Sequence, residues 1–186
     1  EKLNAFTKKI GYTDKWRDYS NVVIEKNDYL GNRQRLGKWA YEENVNRLGK
    51  PIDKTLWGFT PPTVNASYNS SNNEITFPAG ILQFPFFDFE ADDAVNYGGI
   101  GVVIGHEMTH GFDDQGRLSD PQGNLTDWWT KEDADKFKAR ANSVADLFNS
   151  FTVLDTLHVN GKLTLGENLA DLGGINIAYE AFTKTQ

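Results

Sequence analysis

His106-Glu107-Met108-Thr109-His110 carries two of the chain's three histidines, four residues apart with a glutamate after the first. On an α-helix, positions four apart share a face, so both imidazoles can reach one metal ion. Glu107 is placed to hold a metal-bound water as general base, the arrangement of a zinc hydrolase. Chance alone produces this pattern in about one such chain in several hundred. Coincidence therefore stays open until a third ligand and a helical context are found.

Glu167-Asn168-Leu169-Ala170-Asp171 places two carboxylates on one helical face. Glu167 can supply the third ligand, completing a set of two histidines and one glutamate that leaves a position for water. Asp171, one turn on, can accept a hydrogen bond from the other nitrogen of a ligating histidine, fixing its tautomer and raising its basicity. An acidic pair of this spacing taken alone reads as a solvated helix surface. Leu165, Leu169, Leu172 and Ile175 make a poor solvated face, which predicts buried carboxylates in need of a partner.

The surroundings of the two histidines read as helix. Asp92 and Asp93 suit a cap and first turn, and Ala94 to Phe112 is largely apolar and small. Gly98, Gly99, Gly101 and Gly105 lower its propensity, so packing must hold it. Gly101 and Gly105 lie four apart and form a smooth stripe that another backbone can approach. Val103, three residues before His106, is expected on the side that faces the metal.

These stretches, with several others, resemble the neprilysin-like zinc endopeptidases, the family that includes endothelin-converting enzyme and bacterial oligopeptidases. The matching residues are Lys9-Ile10-Gly11-Tyr12, Trp16-Arg17-Asp18-Tyr19, Val64 to Tyr68, Asn73 to Gln83, His106 to Asp114, Val159-Asn160-Gly161 and Leu163 to Gly174. The resemblance implies an α+β, mainly helical chain with a thermolysin-like zincin (gluzincin) core and a short β segment lining its cleft. It implies a zinc metalloendopeptidase that hydrolyses oligopeptides on the amino side of hydrophobic residues.

Carried over position by position, the resemblance assigns His106, His110 and Glu167 to one Zn2+ and Glu107 to the general base. Asp113 and Asp171 would orient the histidines, and Asp171 counts among the catalytic group. Asn65 and Ala66 match the segment that binds substrate main chain, and Ile81, Phe86 and Val103 match an apolar side-chain pocket. Thr63 to Tyr68 and Glu74 to Phe77 have strand-like composition around an Asn/Ser-rich turn, and an exposed edge strand can add an extended peptide. Asn65 by itself also reads as a turn former, and the phenylalanines of Phe84-Pro85-Phe86-Phe87 also read as core.

The chain departs from the family where its matched region ends. Family members continue to a histidine that stabilises the oxyanion and an arginine that contacts substrate. After Asp171 there is only Lys184 as a cation and no histidine. The family's N-terminal helical lobe is also missing, and Glu1 is not an initiator methionine. The expectation is a piece of a longer protein, poorly active or inactive in isolation. In isolation it would be a non-catalytic metal- or peptide-binding module.

Composition sets the remaining bounds. At 186 residues, 39% hydrophobic and 13% aromatic, the chain suits a globular domain. A net charge of -7 argues against nucleic-acid partners, and no apolar run reaches the length of a membrane span. The absence of cysteine, set against the disulfide-bonded animal members of the resembled family, points to a bacterial protein of the periplasm, cell envelope or exterior, with the cytoplasm open.

Along the chain, residues 1 to 50 read as a helical segment leading from the N-terminal lobe, with a helix from Gly31 to Leu48. Residues 51 to 186 read as the peptidase domain, incomplete at its C-terminus. Thr130 to Phe148 fits an amphipathic helix with Ala134, Phe137, Ala141, Val144, Ala145 and Phe148 on one stripe. His158 lacks ligand spacing and reads as structural.

Overall fold

The computed structural model describes all 186 residues and divides them into two compact units, Thr13–Gly58 and a larger one of Glu1–Tyr12 with Phe59–Gln186. The chain is mainly helical with small sheets, and no helix is long and apolar enough to cross a membrane. The expected boundary after residue 50 falls inside the smaller unit.

The smaller unit is built on helix α1, Tyr29–Val45. It starts two residues before the expected Gly31 because the Asp28 carboxylate accepts the Gly31 N–H at 2.9 Å and caps the first turn. Arg35 ties the helix to its lead-in, donating to the Val23 carbonyl at 2.7 Å and to Asp28 at 3.1 Å.

In the larger unit, strands β1 (Thr7–Gly11), β2 (Ser67–Asn69) and β3 (Glu74–Pro78) form one sheet in the order β1-β3-β2. β3 is buried along its whole length, parallel to β1 and antiparallel to β2. β1 lies within a stretch read from sequence as helical. Its strand form comes from pairing with β3, from Thr7 opposite Glu74 to Gly11 opposite Pro78. Lys9 and Glu74 make a buried ion pair at 2.6 Å across these two strands. On the apolar side, Phe6, Ala66, Ile75, Phe77, Ile81 and Ile100 form the core cluster.

The histidine-bearing helix runs as α2 (Asp93–Asn96), a π turn (Tyr97–Gly101) and α3 (Val102–His110). The π turn departs from the regular helix expected over 94–112. Ile100 N–H donates to the Phe86 carbonyl at 2.7 Å, and a Cβ on Gly99 would lie 2.5 Å from that oxygen. The glycines thus let an outside carbonyl dock against the helix, and the local winding widens to accommodate it.

Helix α4 (Lys131–Asn149) is capped by Thr130, whose hydroxyl accepts the Asp133 N–H at 3.1 Å. Its expected apolar stripe is the inward one, with Ala141 and Ala145 buried. A hairpin of β4 (Thr152–Leu154) and β5 (Leu157–His158) follows, and then helix α5 (Leu165–Thr183). Ala170, Gly174 and Ala178 are buried on one stripe of α5.

Candidate metal centre

Helices α3 and α5 bring the two i,i+4 pairs together by crossing on glycine. A Cβ on Gly105 would lie 2.9 Å from the Gly174 Cα and carbonyl oxygen, and one on Gly174 would lie 2.6 Å from the Val102 oxygen. Any side chain there would push the helices apart. Thr109 occupies the space beside Gly173 and donates its hydroxyl to the Gly105 carbonyl at 2.7 Å.

At this crossing, His106 Nε2 and His110 Nε2 stand 2.9 Å apart, and Glu167 Oε2 lies 3.3 and 3.5 Å from them. One ligand atom from each residue lies within 4.8 Å of the others. Donor atoms about 2.0–2.2 Å from one tetrahedral ion are separated by about 3.3–3.6 Å, which matches both distances to Glu167, while the two histidine nitrogens at 2.9 Å sit closer together.

The opposite ring nitrogens fix the charge pattern. His106 Nδ1 is 2.8 Å from Asp171 Oδ1, and His110 Nδ1 is 2.7 Å from Asp113 Oδ2. Ionised carboxylates only accept, so each Nδ1 carries a proton, and in its neutral form each ring turns an Nε2 lone pair inward. In that form two lone pairs and a carboxylate converge, a donor set that fits a cation. Burial disfavours the charged form of His110, but the hydrogen bond and charge of Asp113, with the charges of Glu167 and Glu107, lift its pKa above the ordinary histidine value.

Glu107 is buried between these histidines and the sheet. Burial raises its pKa against the lowering pull of His110 and His106, Glu167 adds to the rise, and a hydrogen bond from the Tyr68 backbone opposes it. A carboxylate raised in this way is a better proton acceptor than one in water.

The side chains of Glu167 and Asp171 are 71% and 70% exposed, which corrects the expectation that both are buried. The small stripe of α5 faces α3, while Leu172 and Ile175 share the exposed surface with the two acids. The apolar neighbours therefore did not report burial.

A cavity of about 630 Å³ opens over the cluster, lined by His106, Glu107, His110, Asp113 and Glu167 on one side and Asn65 to Tyr68 on the other. Asn65 is exposed and accepts the Ala66 N–H at 2.9 Å through its own side chain. Asp171 reaches the cavity only through His106. Ile81, Phe86 and Val103 are not among its walls. Ile81 is buried in the core cluster, and Phe86 and Val103 pack against it. His158 pairs opposite Thr152 in the exposed hairpin, outside the cluster. The Tyr68 main chain as a partner of Glu107 was not legible in sequence, because any residue can supply an N–H.

Two helices that bring His106, His110 and Glu167 to one cavity beside a sheet edge set a cation-binding donor group where an extended chain can lie. The profile of Peptidase family M13 matches residues 65–186, and the chain belongs to that family. It is 46% identical to an endothelin-converting enzyme homolog of Locusta migratoria, over 98% of this chain and 26% of that protein. It is 41% identical to human endothelin-converting enzyme 1, over 98% of this chain and 24% of that one. Among solved structures, the zinc metalloprotease ZMP1 of Mycobacterium tuberculosis, in complex with an inhibitor, superimposes with a TM-score of 0.92 at 49% identity, covering 99% of this chain and 29% of that one. PEPO of Lactobacillus rhamnosis gives 0.91 at 36% identity, covering 97% and 29%. The chain thus spans about a quarter of the length of the curated relatives it matches.

Proposed function

We propose that the protein carrying this chain is a zinc-dependent endopeptidase of oligopeptides, built on a thermolysin-like zincin core and cleaving on the amino side of hydrophobic residues. The observation that carries this reading is the convergence of His106 Nε2, His110 Nε2 and Glu167 Oε2 beside the buried Glu107. The zinc metalloprotease ZMP1, similar over 99% of this chain, supports zinc as the ion and peptides as substrates.

His106, His110 and Glu167 would hold the zinc ion, which would supply Lewis acidity toward a carbonyl oxygen and acidify a bound water. Asp113 and Asp171 keep the Nδ1 protons in place, so the rings hold one tautomer and one orientation. The Glu107 carboxylate takes a proton from the attacking water and returns it to the leaving amine. The edge of β2 beside the cavity, with Asn65 and Ala66 leading into it, aligns an extended peptide main chain. Ile81, Phe86 and Val103 lie in the core cluster outside the cavity walls, so they would act on a hydrophobic substrate side chain only by backing the segment that receives it.

Glu107→Gln tests the chemistry. In the full-length protein the variant is expected to bind zinc normally and to lose turnover of a quenched peptide by orders of magnitude, because an amide cannot accept the proton. Near-normal turnover in that variant, with contaminating peptidase excluded, would remove Glu107 from the base role.

A further inference from the structure

The ammonium of Lys2 lies far in sequence from the metal cluster, is 1% exposed, and has all three of its donors used. It donates to the carbonyls of Gly111 at 2.7 Å, Gly116 at 2.7 Å and Ser119 at 2.8 Å. A buried ammonium is tolerated only when its donors are satisfied, and here the acceptors all come from the loop that follows His110.

Three carbonyls turned toward one nitrogen fix the curvature of that loop. Within the loop, Asp113 Oδ1 accepts the N–H groups of Gln115 at 2.9 Å and Gly116 at 2.6 Å, which leaves Oδ2 at 2.7 Å from His110 Nδ1. Lys2 thus acts on His110 through the loop and Asp113.

A second arm starts at Asn73, which is fully buried in the turn between β2 and β3 with a φ of 47°. Its amide donates to the Lys2 carbonyl at 3.2 Å and the Pro121 carbonyl at 3.1 Å, and its oxygen accepts the Tyr68 hydroxyl at 3.0 Å. The Tyr68 main chain in turn faces the Glu107 carboxylate across the cavity wall and favours its charged form. One connected set of buried polar groups therefore touches the strand that meets Glu107 and the loop that meets His110.

We propose that Lys2 is a positioning residue of the metal centre, and that with Asn73 it forms a buried hub setting His110 and Glu107 in one frame. The proposal rests on the zinc-endopeptidase reading. A side chain that only added stability would change melting without changing how well the folded protein holds zinc. A positioning residue changes the affinity of the folded protein, because partners behind a metal ligand are typically worth about 10–100-fold in metal binding or activity.

The experiment uses the full-length protein and its Lys2→Met variant, which keeps the side-chain length and leaves three carbonyls unpaired. Zinc affinity is measured by competition with a chromophoric chelator, at a temperature where circular dichroism shows the metal-free variant folded. The expected result is zinc binding weakened at least tenfold and a lower kcat with little change in KM, while Lys8→Met, which removes an exposed lysine, leaves both unchanged. If Lys2→Met does not fold, Asn73→Gly keeps the left-handed backbone, removes the amide's bonds and is expected to shift zinc affinity and kcat in the same direction. Folded variants with wild-type zinc affinity and kcat, differing only in melting temperature, would reduce the hub to a structural tether and overturn the proposal. A folded wild-type protein that takes up no zinc would overturn the metal reading itself, and the proposal with it.

Discussion

Gly105 of α3 and Gly174 of α5 meet backbone to backbone, so closely that a Cβ on either would lie within 3 Å of the other helix. His106 follows Gly105 directly, and Asp171 precedes Gly174 by one turn, so this contact sets the 2.8 Å bond between them. Gly174→Ala is expected to lower stability by about 1–3 kcal/mol, the usual cost of overpacking, and to weaken metal binding as the ligand pairs separate. Thermal unfolding and zinc titration of the variant measure both effects. Wild-type values for both would mean that the crossing has slack the geometry does not suggest.

The carboxylates behind the histidines supply a separate expectation. Asp171→Ala and Asp113→Ala each free a ring to rotate or change tautomer, and each is expected to cost about 10–100-fold in metal affinity or activity. Asp113 is the more damaging loss, because its other oxygen also holds two loop N–H groups. Equilibrium dialysis against zinc ranks the two. The ranking would be refuted by a larger loss at the exposed Asp171.

Asn65→Ala probes the sheet edge. Asn65 lines the cavity and bonds none of the metal-cluster residues, so the variant is expected to keep zinc while peptide binding or turnover falls. Catalytic efficiency equal to wild type on several peptides would return Asn65 to the role of a turn former.

What the sequence disclosed and what it withheld have physical reasons. The two i,i+4 pairs, the Thr130 cap and the stripe of α4 depend on helical periodicity, a local property that the order of residues carries directly. The π turn at Tyr97–Gly101 depends on the Phe86 carbonyl, and β1 on β3 more than sixty positions away, so neither has a local signature. The exposure of Glu167 and Asp171 runs against the sequence expectation because apolar neighbours on a helix need not share its buried face. Lys2 was invisible as a functional residue, since only the folded loop gathers three carbonyls around it.

Anomalous diffraction at the zinc edge, from crystals of the full-length, metal-replete protein, tests the assignment of the centre most directly. The expected result is one zinc ion bound by His106 Nε2, His110 Nε2 and a Glu167 carboxylate oxygen, with Asp113 and Asp171 still on the two Nδ1 atoms. A zinc ion at another place, or Glu167 turned away from the ion in the folded protein, would contradict it.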